Sequence, residues 1–408
     1  MGGLRYKLVN PSTIKNILTL RYNPTKKTLV PKLTWKDFIE KKVSDPTNFI
    51  EKSIQNTIKK EIGNSKKKVS IALSGGIDST LILAILRKTL PDAYIEAISF
   101  KFADSPDEST KAAKIAKKFG ANHHIVYIEN YLRELPKAIS ITELPFWDLH
   151  WYYVVKKTKA LSNLLISGDG GDELFGGYTF RYEKFLSLIN PNSLPIEKVK
   201  AYLQCHERDW VPDQEKIFSK KIRFSWNKIY TILGPYFNNS LSPIDQVFLA
   251  DFNGKLQYNW LPLNKKFHEY FGVNLLAPLL SQELISYVPH LPNNLKYDNK
   301  RNVGKLLLRK ILDKYVKESL IPNTKQGFSV NTLNLWKSHG RELCDHYLTD
   351  ARIIKEGWIN QDWVKLHFKK LDTEKDIKYV NKFLGLLGLE IWFRLFVTKE
   401  MKPNNYLN

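Results

Sequence analysis

The chain has almost no cysteine and no long apolar run. Its two cysteines, Cys205 and Cys344, stand far apart in no paired spacing, which argues against a disulfide framework or a zinc knuckle. The first residues, Met1 to Lys7, lack the apolar core of a secretory signal. No later segment sustains the roughly 20 apolar residues that a membrane-spanning helix needs. We therefore expect a globular protein of the reducing cytoplasm, with no attachment to a membrane.

Acidic residues are scarce relative to basic ones. The 408 residues include 63 Lys and Arg against 41 Asp and Glu, which gives a formal net charge of +22. Such a charge attracts nucleotides, nucleic acids and anionic membranes. The lysines are scattered over many short clusters, as on a solvated surface. We prefer this interpretation and expect no nucleic-acid partner, with an RNA-binding enzyme as the rival hypothesis.

Apolar periodicity divides the chain at about residue 49. Residues 1–48 are rich in Pro, Thr, Asn and Lys and predict an irregular or strand-bearing lead-in. Residues 49–400 follow as one domain, in which short apolar segments first alternate with stretches of helical period. This alternation predicts an α/β fold, a parallel sheet with helices on both faces. Beyond Arg181 the pattern predicts a mostly helical half in which strands are hard to find. The strand candidates are Val69–Leu73, Ile95–Phe100, Ile125–Ile128 and Leu164–Ile166.

A glycine-serine motif, Ser-Gly-Gly-Ile-Asp-Ser, joins the first strand candidate to the next predicted helix. Gly75 and Gly76 let the backbone approach an anion, and their N–H groups can donate to phosphate oxygens together with the hydroxyls of Ser74 and Ser79. A carboxylate beside a polyphosphate needs a cation between them, so we interpret Asp78 as a Mg²⁺ ligand. A tight strand-to-helix turn with a polar N-cap is the alternative. The motif contains no lysine, which excludes the phosphate loop of kinases and GTPases.

A second motif, Ser167 to Tyr178, follows the fourth strand candidate. Its five glycines and three carboxylates in twelve residues suit neither a helix nor a strand. Ligands of an open parallel sheet bind at the carboxyl ends of the strands, so both motifs can face one phosphate-bearing ligand, such as a nucleotide. Asp172 would then share Mg²⁺ with Asp78, and the backbone of Ser167 and Gly168 would lie near the nucleotide. A calcium-type acidic loop or a solvated turn is the alternative, although the EF-hand spacing is absent.

The two motifs together resemble a known family. The first is similar to the PP-loop of the ATP pyrophosphatases, which cleave ATP between the α and β phosphates. The pair resembles the synthetase domain of the glutamine-dependent asparagine synthetase B family, over about Asn16 to Val397. Further matches are Ser99-Phe100, Asp107-Glu108, His123-His124, Glu143 to Phe146, Asp148, Lys305, Leu308-Arg309, Lys325 to Phe328 and Glu390 to Arg394.

The resemblance implies a reaction and roles for single residues. It implies that ATP is split into AMP and pyrophosphate, while the β-carboxylate of aspartate becomes an acyl-adenylate that ammonia converts to asparagine. Lys325 matches a family lysine near the phosphates, and Asp169 matches an acidic position linked to the ammonia step. Leu73 and Phe102 fall at positions that flank the adenine in the family. Ordinary core packing is the alternative for both.

The sequence departs from the family pattern at its front. Full-length members begin with a nucleophilic cysteine at position two and a glutaminase domain, whereas this sequence has Gly2. The stretches Leu18 to Pro24 and Thr28-Leu29 resemble the link between the glutaminase and synthetase parts. We therefore expect free ammonia, or ammonia from a separate glutaminase subunit, to supply the nitrogen.

A second departure lies between Leu263 and Leu280. The family usually has Asp-Arg-x-Ser-Met and Glu-x-Arg-x-Pro-Phe-Leu-Asp there, and this chain has Asn264 to Phe267 and Asn274 to Leu280. Several charged positions are apolar or have changed sign. This leaves two alternatives open: an amide-forming enzyme for another carboxylate, of the β-lactam synthetase or lasso-peptide cyclase type, and a PP-loop enzyme that modifies tRNA.

Overall fold

A five-stranded parallel sheet organises the computed structural model, which describes residues 10–24, 27–63, 67–105, 109–316 and 330–407. The strand order is β3-β2-β1-β4-β5. The α/β class predicted from the sequence is confirmed. The strands are β1 (Lys68–Ala72), β2 (Tyr94–Phe102), β3 (Asn122–Ile128), β4 (Leu164–Ile166) and β5 (Asn274–Leu276).

The register of the sheet decides where the two glycine motifs emerge. In β1, Ile71 pairs with Ile166 of β4, the last residue before the second motif. On its other side β1 pairs with β2, and β4 pairs with β5 through Ile166 and Leu276. The segments that follow β1, β4 and β5 therefore leave the sheet side by side at its carboxyl edge, where ligands of such sheets bind.

Helices cover both faces of the sheet, as predicted. One face carries Val69 and Ile71 and packs against α2, α3 and α4 through buried residues such as Ile50 and Ile115. The opposite face carries Ile98 and packs against α5, α6 and the C-terminal helices. The helices of the first half are α1 (Pro11–Leu20), α2 (Pro46–Ile62), α3 (Ile77–Thr89), α4 (Ser109–Lys118), α5 (Leu135–Thr142) and α6 (His150–Lys159).

The second half of the chain is mostly helical, as its sequence predicted. A π-helical segment, Phe252–Trp260, joins α11 directly to α12, and a second one is Trp336–Gly340. The short 3₁₀ helices of the whole chain are Trp35–Phe38, Gln214–Ile217, Pro278–Leu280, Val288–His290 and Asn293–Leu295. The remaining helices are α7 (Gly171–Phe175), α8 (Thr179–Leu188), α9 (Pro195–Cys205), α10 (Trp226–Phe237), α11 (Pro243–Asp251), α12 (Leu261–Phe271), α13 (Gln282–Tyr287), α14 (Leu306–Leu312), α15 (Thr332–Leu335), α16 (Arg341–Thr349), α17 (Arg352–Lys355), α18 (Gln361–Lys370) and α19 (Ile377–Phe396).

Strands of the second half were missed in the sequence. The strand β5 has three residues, of which Asn274 is exposed, so it has neither the length nor the alternation that marks a strand. It is held in the sheet by its pairing with β4. A two-stranded antiparallel hairpin, β6 (Tyr297–Asp298) and β7 (Val303–Gly304), was missed for the same reason.

The lead-in contains a helix, whereas the sequence predicted an irregular or strand-bearing segment. Asn10 caps α1 by accepting a hydrogen bond from the Ser12 N–H, and Pro11 occupies the first turn, where its missing N–H is harmless. Ile14 and Leu18 are buried in the core cluster that includes α19. The Asn-Pro pair before an apolar helical period was the signal for this helix.

The C-terminal helix α19 is the longest described element, at 20 residues, and it is buried over most of its length. Its fully buried Glu390 accepts hydrogen bonds from the backbone N–H groups of Arg352 and Ile353 at 2.9 and 3.0 Å, and so caps α17. In the described part of the chain, every helix is too short or too polar to traverse a lipid bilayer.

Candidate active site

The first glycine motif forms an open turn between β1 and α3. The Ser74 hydroxyl lies 3.2 Å from the hydroxyl of Ser79 and accepts from the Gly76 N–H at 3.3 Å, which folds the loop on itself. Gly75 has a φ of +72°, a conformation that favours glycine. The N-cap of α3 makes no side-chain capping hydrogen bond with the described residues. This helix begins at the carboxyl edge of the sheet, and its N-cap, Gly76, has no side chain to cap the first turn. The N–H groups of that turn can therefore contact an anion there.

The second motif turns sharply after β4 and enters the short helix α7. The Ser167 N–H donates to the Leu276 carbonyl at 3.0 Å, so this residue still follows the sheet. Gly170 then adopts a φ of +90°, and a Cβ there would lie 2.4 Å from a methyl group of Leu280. Only glycine satisfies both the backbone conformation and this close approach.

The two motifs contact each other through Asp78. A Cβ on Gly168 would lie 2.7 Å from the Cβ of Asp78, and a Cβ on Gly171 would lie 2.4 Å from its carboxyl carbon. Side chains at these glycines would collide with the aspartate. The structure thus brings Ser74, Gly75, Gly76, Asp78 and Ser79 together with Ser167, Gly168, Asp169 and Asp172 at one edge of the sheet.

Lys305 links the carboxylates of the two motifs. Its Nζ lies 2.5 Å from Asp78 Oδ2 and 2.8 Å from Asp172 Oδ1. Burial lowers the pKa of Lys305, but the carboxylates of Asp172 and Asp78 outweigh this effect and hold that pKa above its ordinary value. The lysine is therefore a permanent cation that neutralises part of the acidic cluster.

Lys305 belongs to the site, although the sequence showed it only as a family match. It follows the hairpin of β6 and β7, and its N–H donates to the Phe175 carbonyl at 3.0 Å. Gly304 makes this approach feasible, because a Cβ there would lie 2.0 Å from the Gly176 carbonyl oxygen. The Gly-Lys pair at the end of a short hairpin was the only local feature of the sequence that indicated a role for Lys305. No local feature indicates which surface the hairpin contacts.

Asp78 and Asp172 are suitably placed to hold a divalent cation. One oxygen of each carboxylate contacts the same atom, Lys305 Nζ, so the two oxygens are close enough to share a cation. Carboxylate oxygens are the ligands that Mg²⁺ prefers. Within the described ranges no group of three or more His, Cys, Asp or Glu has the geometry of a metal site. Further ligands would therefore have to be phosphate oxygens or water, as in other nucleotide-bound Mg²⁺ sites. The donor set fits the predicted magnesium, which stays a prediction.

Asp169 sits in a network of hydrogen-bond donors. One of its oxygens, Oδ2, accepts from the Ser167 hydroxyl at 2.9 Å and from Nδ2 of Asn264 at 3.2 Å, and the Trp260 indole lies near enough to lower the pKa of the carboxylate. Burial raises the pKa of Asp169 to about 6 despite the side chains of Ser167 and Trp260, which lower it. A carboxylate with such a pKa can exchange a proton near neutrality. Sequence reasoning missed Trp260 and did not connect Asn264 with Asp169.

The structure says little about the roles predicted for Leu73, Phe102 and Lys325. Leu73 is fully buried beside Ile71, and Phe102 stacks on Phe100 with ring centroids 6.0 Å apart in the core of the opposite face. Both side chains pack in the core, and their predicted contact with adenine stays a prediction. Lys325 lies outside the described residues.

Comparisons with known proteins find a family model and curated relatives. The asparagine synthase model matches residues 50–394. Glutamine-hydrolyzing asparagine synthetase 1 of Bacillus subtilis is 26% identical over 371 residues, which cover 81% of this chain and 56% of that protein. A putative glutamine-hydrolyzing asparagine synthetase of Mycobacterium tuberculosis is 24% identical over 370 residues, which cover 82% of this chain and 56% of that protein. The chain spans about half the length of these curated relatives.

Two solved structures are similar at a low level. NMN synthetase from Francisella tularensis is 14% identical and covers 60% of this chain and 97% of that chain, with a TM-score of 0.26. The U34-tRNA thiolase NcsA from Methanococcus maripaludis is 16% identical and covers 55% of this chain and 77% of that chain, also with a TM-score of 0.26. These similarities are too low to bear on the fold or the function.

The substitution Gly171→Ala tests the contact between the two motifs. Its Cβ would collide with the Asp78 carboxylate, so we expect the free energy of unfolding to fall by about 1–3 kcal/mol. The measurement is urea denaturation. Gly385→Ala is the matched control, because Gly385 lies inside α19 and its would-be Cβ meets only a methyl carbon of Leu18, at 3.9 Å. Alanine there should be neutral or stabilising by up to about 1 kcal/mol. Equal stability of the two variants would contradict the contact.

The substitution Lys305→Met tests the neutralisation of the acidic cluster. It leaves two partly buried carboxylates without their ammonium, so we expect a loss of about 2–4 kcal/mol of unfolding free energy. Lys221→Met is the control, since the Lys221–Glu356 ion pair is 44% and 49% exposed and should contribute about 0–1 kcal/mol. Added Mg²⁺ should raise the melting temperature of Lys305→Met more than that of the wild type, as measured by thermal unfolding. An unchanged response to Mg²⁺ would count against a shared cation site.

Proposed function

Because the chain belongs to the asparagine synthase family, we propose that it is an ATP-dependent amide ligase that activates the β-carboxylate of aspartate and transfers it to ammonia. The products are asparagine, AMP and pyrophosphate, and the intermediate is β-aspartyl-AMP. The close approach of the second motif to Asp78 of the first supports this proposal most directly, because one nucleotide at the carboxyl edge of the sheet would then contact both motifs.

The loop between β1 and α3 would bind the phosphates of ATP. The N–H groups of Gly75 and Gly76, the hydroxyls of Ser74 and Ser79 and the positive end of α3 all suit phosphate oxygens. Asp78 and Asp172 would hold Mg²⁺, which when bound neutralises charge on the phosphates. Lys305 keeps the two carboxylates close together before the nucleotide arrives. Leu73 and Phe102 are proposed to flank the adenine.

The first chemical step forms the adenylate. A carboxylate oxygen attacks the α phosphorus, the bond to the β phosphate breaks, and pyrophosphate leaves with the electron pair. We propose that Lys325, which lies outside the described residues, offsets the charge of the leaving pyrophosphate. Lys325 falls within residues 50–394, which the family model matches.

The second step forms the amide. Ammonia attacks the acyl carbon, the bond from that carbon to the AMP oxygen breaks, and the nitrogen loses a proton. Asp169 is the proposed acceptor of this proton, because it lies beside the phosphate loop with a pKa of about 6, raised by burial. The ammonia is free or comes from a separate glutaminase. We further propose a lead-in over residues 1–48, a synthetase domain over residues 49–400 and a cytoplasmic location.

A different carboxylate is the second candidate, and one observation favours it. The two segments that depart from the family pattern lie at the site, since Asn264 contacts Asp169 and Leu280 contacts Gly170. Of the two, Leu280 follows β5, on the side of β4 away from the phosphate loop, and would border the part of the site that receives the acid substrate. An amide ligase with another acid substrate would keep the ATP-binding residues and change this border.

Pyrophosphate release by the purified chain tests the function. With ATP, Mg²⁺ and ammonia, we expect release that depends on aspartate, because the adenylate forms only when its carboxylate is bound. A panel of other carboxylic acids supplies the comparison, and Asp78→Asn is the inactive control. Release with another acid and not with aspartate would select the second candidate. Absence of release with every acid would contradict the ligase proposal.

The pH dependence of amide formation tests Asp169. Its raised pKa means that the carboxylate is lost as the pH falls through about 6, so the rate at a fixed concentration of unprotonated ammonia should drop about tenfold per unit below that pH. Asp169→Asn should lower amide formation by about 10²–10⁴-fold and remove this acid limb. Aspartate-dependent exchange of pyrophosphate into ATP should persist in the variant. An acid limb that survives in Asp169→Asn would exclude Asp169 as its source.

A further inference from the structure

A buried amide beside Asp169 leaves part of its hydrogen-bonding capacity unused. Asn264 is 1% exposed, and its Nδ2 donates to Asp169 Oδ2 at 3.2 Å. Its other amide atom, Oδ1, is buried and has no hydrogen-bond partner among the described residues. A buried carbonyl without a partner costs about 1–3 kcal/mol, and folded proteins rarely keep one without a reason. A ligand that donates a hydrogen bond is one such reason.

The orientation of this amide follows from its neighbour. Rotating the amide by half a turn would place Oδ1 against the carboxylate of Asp169, where two acceptors would face each other. The N–H side therefore faces Asp169, and the carbonyl oxygen is the atom left over. The Ser167 hydroxyl also donates to Asp169, so it is engaged with this carboxylate rather than with the Asn264 carbonyl.

The residues around Asn264 limit which kind of ligand fits beside it. Asn264 lies in α12, four residues after Trp260, which ends the π-helical segment, and π-helical turns occur frequently at functional sites. The Trp260 ring contacts the rings of His150 and Trp151, with centroid distances of 5.4 and 5.3 Å. An aromatic wall thus stands next to two acceptors, the Asn264 carbonyl and the Asp169 carboxylate. A small molecule with several N–H groups fits this combination, and a carboxylate does not.

We propose that Asn264, Asp169 and Trp260 form the subsite that receives the nitrogen nucleophile, ammonia, with Oδ1 of Asn264 accepting one of its N–H bonds. This inference rests on the proposed function and names the residues that bind its second substrate. Two acceptors hold two of the three N–H groups, so the lone pair is directed away from them and toward the acyl carbon. When the C–N bond forms, the C–O bond to AMP breaks, and the proton released from nitrogen passes to Asp169.

The substitution Asn264→Leu tests the subsite, because leucine is similar in size and neither donates nor accepts a hydrogen bond. We expect the kcat/KM for ammonia in amide formation to fall by about 10–100-fold, mainly through a higher KM. Exchange of pyrophosphate into ATP with aspartate, measured without ammonia, should stay within about twofold of the wild type, because it does not involve the nitrogen. This split would not arise from a general loss of structure.

Asn259→Leu is the matched control. Asn259 is the same residue type in the preceding turn, and its Nδ2 donates to the Arg21 carbonyl at 2.7 Å, away from Asp169. Its variant should keep the ammonia KM of the wild type. If Asn264→Leu shows no thermal unfolding transition, and so is not folded, Asn264→Ala takes its place. Alanine removes the same carbonyl without filling the space, and the variant should likewise lose ammonia-dependent amide formation while it keeps pyrophosphate exchange.

Two results would overturn the subsite. One is an unchanged ammonia KM in folded Asn264→Leu or Asn264→Ala, and the other is an equal loss of exchange and amide formation. Both differ from a failure of the proposed function itself, in which the wild-type chain shows no carboxylate-dependent exchange at all.

Discussion

The position of the Asp78 carboxylate is the constraint on which the site depends. Gly168 and Gly171 of the second motif lie so close to this side chain that no larger residue fits between the two loops. Close contact alone would leave the charges of Asp78 and Asp172 to repel each other. Lys305, 2.5 and 2.8 Å from them, offsets that repulsion before any metal or nucleotide is bound. Packing and charge together therefore preorganise the edge of the sheet.

The local charge of the site is opposite to that of the whole molecule. Three aspartates gather at an edge that would bind a polyanion, in a chain whose formal net charge is +22. A positive field at long range raises the local concentration of anionic nucleotides, whatever partners it otherwise serves. Carboxylates at short range then require a cation to accompany the nucleotide. The same arrangement explains how scattered surface lysines and an acidic centre can serve one proposed reaction.

The part of the site proposed to bind phosphate could be predicted from the sequence, and the part proposed to bind the acid and the amine could not. The strands β1 and β4 are apolar, each is followed by a dense glycine motif, and parallel strands expose their carboxyl ends at one edge. Those local signals placed Ser74 to Ser79 beside Ser167 to Asp172. Lys305 reaches the site from a hairpin of two-residue strands, whose position depends on long-range packing alone. No local period or motif carries that information.

The part of the site proposed to bind the acid and the amine depends on the helix α12 and the strand β5, which follow one another in the chain and were hardest to assign. The strand is too short to show alternation, yet its pairing with β4 sets the loop that brings Leu280 against Gly170. The helix that brings Asn264 to Asp169 follows directly on a π-helical segment. The residues that would distinguish one acid or amine from another thus lie on elements held by tertiary contacts. A chain can change them without disturbing the two motifs, so the proposed ATP-binding edge would suit more than one amide-forming reaction.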